Sequence, residues 1–259
     1  MDNQFKLSEK TVVLHGPINS VVQSLANQLT ELGADIALVT DDEKRAQVFS
    51  ANLNDLREVH RHRGRASGIH GSKNSLKECN DIFARAAESF GSIDVFIDAN
   101  STPLFVDQAK PELLEKSLKE QSKMYEQTLM MTSIAEQYLS SRTKGRMIFV
   151  TFEATQTGLA KNLMNAAFRG SLKDYVKNLA MDHLEKQLTA NVVVCGVTEE
   201  YLTAKYKGKT FADSKKEFAA VIPNIRPTEA MEVASAVAFL SSSMSSAING
   251  QTIYATHGF

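Results

Sequence analysis

The sequence predicts an α/β fold in which a doubly wound parallel sheet carries helices on both faces, within a single domain over residues 1–259. Three observations predict it. Short runs of apolar, β-branched residues alternate along the chain with longer segments of helical periodicity. The short runs lack polar alternation, as expected of strands that are buried on both faces. The length of 259 residues and the 43% of hydrophobic residues suit one domain with a large core.

The predicted elements follow one another in alternating order. The predicted strands are 11–15, 36–39, 94–97, 146–150, 192–195 and 252–254. The predicted helices are 20–32, 42–58, 75–90, 111–142, 159–188 and 228–240. Gly33 and Gly91 directly follow two of these helices, as glycine often does at a helix C-terminus. Because doubly wound sheets bind ligands at the carboxyl ends of their strands, we expect the functional residues just after each strand.

Composition and charge exclude several classes of protein. The 29 Lys and Arg residues nearly balance the 30 Asp and Glu residues, so nucleic acid is not an expected partner. No apolar run approaches the roughly 20 residues that cross a bilayer, and the first residues show no signal-peptide pattern. We therefore expect a cytoplasmic protein without a membrane partner. Cys79 and Cys195 form neither a disulfide pattern nor a metal-binding pattern, and we predict no metal site.

The C-terminal third carries the most specific sequence pattern. The segments Ile222-Pro223, Glu232-Val233-Ala234, Ala238-Phe239-Leu240-Ser241 and Ile248-Asn249-Gly250-Gln251 resemble, in order and spacing, the tail of the short-chain dehydrogenase/reductase family. The chain is most similar to the branch of the 3-oxoacyl-carrier-protein reductases, through nearly its whole length. The resemblance implies a Rossmann-like fold, binding of NAD or NADP, hydride transfer to or from a carbonyl or alcohol, and assembly into dimers or tetramers.

The segment after the first strand departs from the family's cofactor-binding loop. The family's Thr-Gly-x-x-x-Gly-x-Gly is replaced by HGPINSVV over residues 15–22, in which only Gly16 keeps its glycine. Pro17 lacks an amide donor, and the hydroxyl of Ser20 suits either a phosphate or a helix cap. Two interpretations remain open. The first is a modified anion-binding site that contains Gly16, Asn19 and Ser20, and the second is an ordinary strand–helix turn capped by Ser20.

Two further positions bear on the choice of cofactor. Asp41 follows the second strand, where a carboxylate bonds the 2′-hydroxyl of a ribose and repels a 2′-phosphate. This favours NAD over NADP, although Asp41 or Asp42 equally suits the cap of the next helix. The family's Asn-Asn-Ala-Gly is replaced by DANS over residues 98–101, where Asn100 suits a cofactor contact or a turn. With so many altered positions, it is open whether any dinucleotide binds.

The catalytic positions depart furthest from the family. The family places a Ser after the fifth strand, a Tyr thirteen residues later and a Lys four residues after the Tyr, so that Tyr and Lys share a helix face. Without gaps, these positions hold Phe152, Asn165 and Arg169. An asparagine is no practical proton source, and an arginine does not release its proton. Thr151 is the nearest side chain with a hydroxyl.

Two polar segments have alternative interpretations. The segment 57–65, REVHRHRGR, is densely basic and suits either a solvated loop or a contact for an anionic partner such as an acyl carrier protein. Residues 198–220 occupy the position of the family's substrate loop and carry five lysines, at 205, 207, 209, 215 and 216. We interpret this second segment as a lid or as a solvated surface.

Three functions are consistent with these patterns. The first is a catalytically impaired homologue that serves as a regulatory or assembly subunit or as a small-molecule sensor. It would form a homo-oligomer, or a hetero-oligomer with an active homologue. The second is an active NAD(P)-dependent reductase with an atypical site built from Arg169, Asn165 and Thr151. The third is a binding module for an anionic partner.

Overall fold

Seven parallel strands form one sheet in the part of the chain that the computed structural model describes, and the sheet order is β3-β2-β1-β4-β5-β6-β7. The described residues are 5–101, 111–140, 144–152, 163–205, 208–210, 212–214, 216 and 226–257. The strands are β1 Thr11–His15, β2 Asp35–Thr40, β3 Ala66–His70, β4 Val95–Asp98, β5 Arg146–Phe152, β6 Thr189–Cys195 and β7 Thr252–Ala255. The predicted fold class is confirmed.

Helices cover both faces of the sheet. They are α1 Ser20–Glu31, α2 Glu43–Val59, α3 Leu76–Phe90, α4 Pro111–Ser140, α5 Leu163–Asp182, α6 Glu199–Lys205 and α7 Ala230–Ser241, and two 3₁₀ turns span Leu184–Lys186 and Ser243–Ser245. Strand β1 shows how the core is divided, because successive side chains of a strand point to opposite faces. Val12 and Leu14 pack in the cluster that includes α1 and α7, whereas Val13 packs in the cluster that includes α3, α4 and α5.

The element bounds differ most from the sequence-based prediction in three places. The apolar pattern does not delimit β3, which contains Ser67 and Gly68 and forms by pairing with β2. The helix predicted over 159–188 ends at Asp182, because a 3₁₀ turn follows and Gln187 then adopts a left-handed conformation with φ 53°. Its predicted first residues, 159–162, lie outside the described part. The polar region 198–220 contains helix α6.

The structure shows which residues cap α1 and α2, whereas the predicted cofactor contacts of Asn19, Ser20 and Asp41 stay predictions. The side chain of Asn19, not that of Ser20, caps α1 by accepting a hydrogen bond from the Val22 amide at 2.9 Å. Ser20 is instead the first residue of the helix. Asp42 caps α2 by accepting from the Arg45 amide at 3.0 Å, which leaves Asp41 available for another contact.

The sheet order places the crevice of the fold between β1 and β4. The chain leaves these neighbouring strands toward opposite edges of the sheet, and α/β folds bind ligands at the carboxyl ends of such strands. Cys79 and Cys195 are free thiols, and both are buried. Among the described helices, none has the length and apolar character needed to span a membrane.

Candidate functional site

A buried histidine–carboxylate pair forms the floor of the crevice. His15 and Asp98 end the neighbouring strands β1 and β4 in matched register, and Nδ1 of His15 donates to Oδ1 of Asp98 at 2.8 Å. The hydroxyl of Thr128 on α4 donates to Oδ2 of the same carboxylate at 2.6 Å. The three side chains are buried, and together they tie the ends of both strands to α4.

Gly16 and Asn100 hold the two loops of the crevice together. A side chain at Gly16 would meet the carbonyl oxygen of Ala99 at 2.7 Å, so only glycine permits this close approach. The Asn100 amide donates to the Asp98 carboxylate at 3.2 Å, and the Asn100 side chain reaches Gln127 at 3.4 Å. The geometry thus gives both predicted residues a structural contact, while their predicted role in cofactor binding stays a prediction.

The N-terminus of helix α1 is occupied by an acidic side chain of the chain itself. The Ser20 amide donates to Oε1 of Glu200 on α6 at 2.9 Å, although 180 residues separate the two. Free amides at a helix N-terminus attract anions, and this one is the position that holds a pyrophosphate in dinucleotide-binding folds. The Glu200 carboxylate therefore accepts the hydrogen bond that the Ser20 amide would otherwise donate to a phosphate.

A buried lysine stands beside the carboxylate at the end of β2. The side chain of Lys73 is 1% exposed and pairs with Asp41, whose side chain is 77% exposed. Burial raises the pKa of the Asp41 carboxyl, but the hydrogen bond and positive charge of Lys73 outweigh it and hold this pKa below its ordinary value. The two line a cleft of about 250 Å³ that also contains His15, Gly16, Pro17, Ile18, Thr40, Asp42, Arg45 and Asn100.

The residues at two of the family's catalytic positions pack against each other. The Arg169 guanidinium lies over the ring of Phe152, 5.4 Å from its centroid, and its Nη1 donates to the Phe152 carbonyl oxygen at 3.2 Å. Both side chains are buried. A guanidinium stacks on an aromatic face in this way, and a lysine does so less well. The backbone of Asn165 lies in α5, but its side chain lies outside the described part.

A small cavity lies next to this pair. It measures about 40 Å³ and is lined in part by Asp98, Gln121, Thr151 and Arg169. Thr151 Oγ1 and Gln121 Nε2 are buried, and neither atom has a hydrogen-bond partner within the described residues. A polar cavity of this size holds a few atoms or one or two waters. The structure therefore brings Thr151 and Arg169 to one cavity, as the prediction of an atypical site requires.

Three of the four arginines of the basic segment 57–65 contact other groups of the protein. Arg63 is buried and pairs with Glu31 at 2.7 Å, and Arg57 donates to the Arg63 carbonyl oxygen at 3.1 Å. Arg65 pairs with Asp35. Most of the segment is nevertheless exposed, as the interpretation of a solvated surface predicts, although residues 57–59 belong to the end of α2. Arg61 is exposed, and binding of an anionic partner stays a prediction.

Comparison with known proteins decides the family. The sequence profile described as enoyl-(acyl carrier protein) reductase matches residues 16–259. The chain belongs to the short-chain dehydrogenase/reductase family. Nodulation protein G of Rhizobium meliloti (strain 1021) is 25% identical over 260 residues, which cover 98% of both chains. The hydroxynaphthalene reductase-like protein Arp2 of Metarhizium acridum (strain CQMa 102) is 23% identical, over 97% of this chain and 95% of its own length.

Solved structures show the same fold. A hydroxysteroid dehydrogenase from Escherichia coli superposes with a TM-score of 0.77 at 16% identity, over 100% of this chain and 98% of that one. A mutant of a short-chain dehydrogenase/reductase from Serratia marcescens gives a TM-score of 0.81 at 16% identity, over 97% and 98% of the two chains. The family assignment predicted from the C-terminal segments is confirmed.

Two residues oppose the binding of the dinucleotide that is typical of short-chain dehydrogenases/reductases. At the pyrophosphate position the Ser20 amide already binds the Glu200 carboxylate, and a second negative charge there is repelled. Val22 lies where the family has its third glycine, and its Cγ2 would lie 3.3 Å from a Cβ added at Gly16.

Sequence reasoning misses four residues that shape this site: His15, Asp98, Lys73 and Glu200. The signal for the first two is available, because both replace residues of the two family motifs at the ends of strands that the family pairs. Lys73 and Glu200 have no such signal. They reach the crevice only through contacts across 32 and 180 residues of sequence.

Proposed function

We propose that the protein is a short-chain dehydrogenase/reductase without the family's proton relay, and that it acts as a regulatory or assembly subunit or as a small-molecule sensor. The observation that carries the proposal is the packing of Arg169 on Phe152. These residues stand where the family has its Lys and its Ser. An aromatic ring offers no hydroxyl to orient a carbonyl, and the guanidinium is already engaged with that ring.

The magnitude of the loss supports a non-catalytic role. A positioned acid or base contributes typically about 10²–10⁴-fold to a rate. At the position of the family's Tyr this chain has Asn165, which does not supply a proton at neutral pH. Arg169 keeps a positive charge but does not exchange its proton. All three catalytic groups of the family are replaced, so none of them remains to compensate for the loss of another.

The carboxylate at the α1 N-terminus supports the same proposal. Glu200 lies on α6, in the segment that corresponds to the family's substrate loop, and it binds the Ser20 amide. A chain that positions its own anion there competes with a phosphate for this amide. We propose NAD, or less favourably NADP, as a weak ligand at most.

We extend the proposal to the assembly. Members of the family are commonly oligomeric, and we propose a dimer or tetramer of this chain or a mixed oligomer with an active homologue. Size-exclusion chromatography with light scattering, with and without such a homologue, tests this part separately.

The decisive experiment is a turnover assay of the purified chain. NADH and NADPH are each supplied with an oxoacyl thioester or a quinone, and oxidation is followed by the absorbance of the reduced nicotinamide. Ordinary enzymes turn over about 1–10³ times per second, and we expect a rate at least about 100-fold below the lower limit. Turnover at about one per second or faster overturns the proposal. An active family member in the same buffer is the control.

A second function is favoured by one observation. The unpartnered hydroxyl of Thr151 and the guanidinium of Arg169 line the same small cavity. In an active enzyme the hydroxyl would donate a hydrogen bond to a substrate carbonyl, and the guanidinium would stabilise negative charge on its oxygen. Under this alternative Thr151→Val abolishes turnover whereas Thr151→Ser retains it. Equal turnover by both variants excludes the alternative.

A further inference from the structure

A second cavity lies at the amino ends of the strands, where β5 and β6 begin. It measures about 500 Å³, and its lining includes Lys144, Arg146, Leu184, Leu188 and Thr189. Arg146 and Thr189 are the first residues of β5 and β6, Leu184 belongs to a 3₁₀ turn, and connecting segments supply most of the other lining residues. The cavity is separate from the crevice, because the crevice lies at the carboxyl ends of the parallel strands and the cavity lies at their amino ends.

A buried guanidinium faces this cavity. Arg146 is 4% exposed, and its Nη1 donates to the carbonyl oxygens of Lys144 and Gly145 at 3.0 and 3.1 Å. Its Nε is buried and has no hydrogen-bond partner among the residues that the structure describes. No carboxylate of the described residues pairs with this guanidinium, and burial alone lowers the pKa of Arg146. A buried cation without an anion is costly, so the arrangement calls for an anionic partner from outside the described chain.

A second unpartnered polar atom lies beside the first. Thr189 pairs with Arg146 in the register of β5 and β6, and its buried Oγ1 has no hydrogen-bond partner in the described part of the chain. The exposed Lys144 adds a second positive charge to the cavity lining, directly before β5. Arg146 and Thr189 thus place two hydrogen-bond donors on adjacent strands, and Lys144 adds a second cation just before β5. A buried polar atom without a hydrogen-bond partner destabilises the fold, and a hydrogen bond to a ligand oxygen removes this cost.

We propose that this cavity binds a phosphate group, either as free phosphate or as the monoester of a small molecule. The phosphate accepts hydrogen bonds from Arg146 Nε and from the Thr189 hydroxyl, and Lys144 balances its second negative charge. Guanidinium groups match the oxygens of phosphate in geometry and charge. Leu184, Leu188 and the space beyond a single phosphate accommodate the rest of a monoester.

Calorimetric titration of the full chain tests the site at constant ionic strength. The probes are inorganic phosphate and glucose 6-phosphate. Saturable binding is expected for at least one of them. Tighter binding of glucose 6-phosphate assigns the site to a monoester, and equal binding assigns it to free phosphate. The absence of saturable binding for both probes up to about ten millimolar, which is weaker than ordinary metabolite affinities, overturns the proposal.

Three variants locate the binding. Thr189→Val removes the unpartnered hydroxyl at equal size, and Lys144→Asn removes a charge at a position whose φ of 74° asparagine tolerates. Each is expected to weaken binding about three- to tenfold, as for one hydrogen bond or ion pair. Arg146→Met is expected to abolish it. Because Arg146→Met risks misfolding, the test of the proposal rests on the phosphate affinities of Thr189→Val and Lys144→Asn.

Thr228→Val is the matched control. Thr228 is also a buried threonine whose Oγ1 lacks a partner, but it packs against Gly196 at the carboxyl edge of the sheet. Its substitution is expected to leave phosphate affinity unchanged. Unchanged affinity in Thr189→Val and Lys144→Asn overturns the proposal, and so does an equal loss in Thr228→Val.

Discussion

The carboxylate of Glu200 accepts a hydrogen bond of 2.9 Å from the backbone amide of Ser20, at the first residue of α1. In this fold the amides at that helix N-terminus form the phosphate site. Helix α6, which carries Glu200, belongs to the polar segment in the place of the family's substrate loop. The contact therefore links the loop to the cofactor position, and it makes the chain's own side chain a competitor for a phosphate.

Removal of this charge is expected to improve dinucleotide binding. Glu200→Gln should lower the apparent dissociation constant for NADH about tenfold, because a charge-assisted hydrogen bond and the repulsion of a phosphate are both lost. Fluorescence titration of NADH measures the change. Glu199→Gln, which alters the exposed neighbour on the same helix, is the control and should leave the affinity unchanged. Equal affinities of the two variants would contradict the competition.

The pair of Arg169 and Phe152 is expected to contribute to stability. Arg169→Ala should lower the free energy of unfolding by about 2 kcal/mol, since it removes a desolvated guanidinium from an aromatic face and a hydrogen bond from a buried carbonyl. The free energy of unfolding of Arg169→Lys should lie between those of the native chain and Arg169→Ala, because lysine does not stack on an aromatic ring in the same way. Urea unfolding measures these differences. Lys177→Ala on the exposed face of α5 should stay within about 0.5 kcal/mol of the native chain.

The pairing of Lys73 with Asp41 is expected to show strong coupling. Asp41→Asn leaves a buried ammonium without its anion and should lower the free energy of unfolding by about 2 kcal/mol, less than for a fully buried pair because Asp41 is exposed. The double variant Lys73→Met/Asp41→Asn should recover most of this loss, since methionine needs no partner. Thermal unfolding compares the variants with Asp55→Asn, an exposed control on α2. Additive losses in the double variant would show that the pair is not coupled.

Glu232 is expected to make stability depend on acid pH. Hydrogen bonds from Arg226, together with those from the Glu229 amide and His257, lower the pKa of Glu232 to about 2 from an ordinary 4.5, against the opposing effect of burial. A lowered carboxyl pKa stabilises the fold above the unfolded pKa, and this stabilisation is lost as the pH falls through the folded pKa.

The comparison with Glu232→Gln isolates this contribution. At pH 6 the native chain should exceed the variant by about 1 kcal/mol in the free energy of unfolding, because the group is partly exposed. The difference should shrink as the pH falls from 4.5 toward 2. Urea unfolding at several pH values measures it, and the exposed Glu58→Gln is the control. A difference that does not change with pH would contradict the assignment.

The sequence predicts the architecture because local periodicity encodes it. Apolar strands without polar alternation indicate a sheet that is buried on both faces, as β1 and β5 are. The C-terminal segments indicate the family, and the replaced residues Phe152 and Arg169 indicate an altered catalytic position. Each of these inferences uses residues that are close in sequence or fixed in order along the family's chain.

Only the tertiary structure decides which distant residues meet. The order of β1 and β4 brings His15 to Asp98, and the register of β5 and β6 brings Arg146 to Thr189. Lys73 reaches Asp41, and Glu200 reaches Ser20, through loops whose sequences carry no periodic signal. The sequence by itself therefore determined a dehydrogenase scaffold with altered motifs. The three-dimensional fold decided which charges are paired and which are left for a ligand, because pairing depends on the packing of segments far apart in the chain.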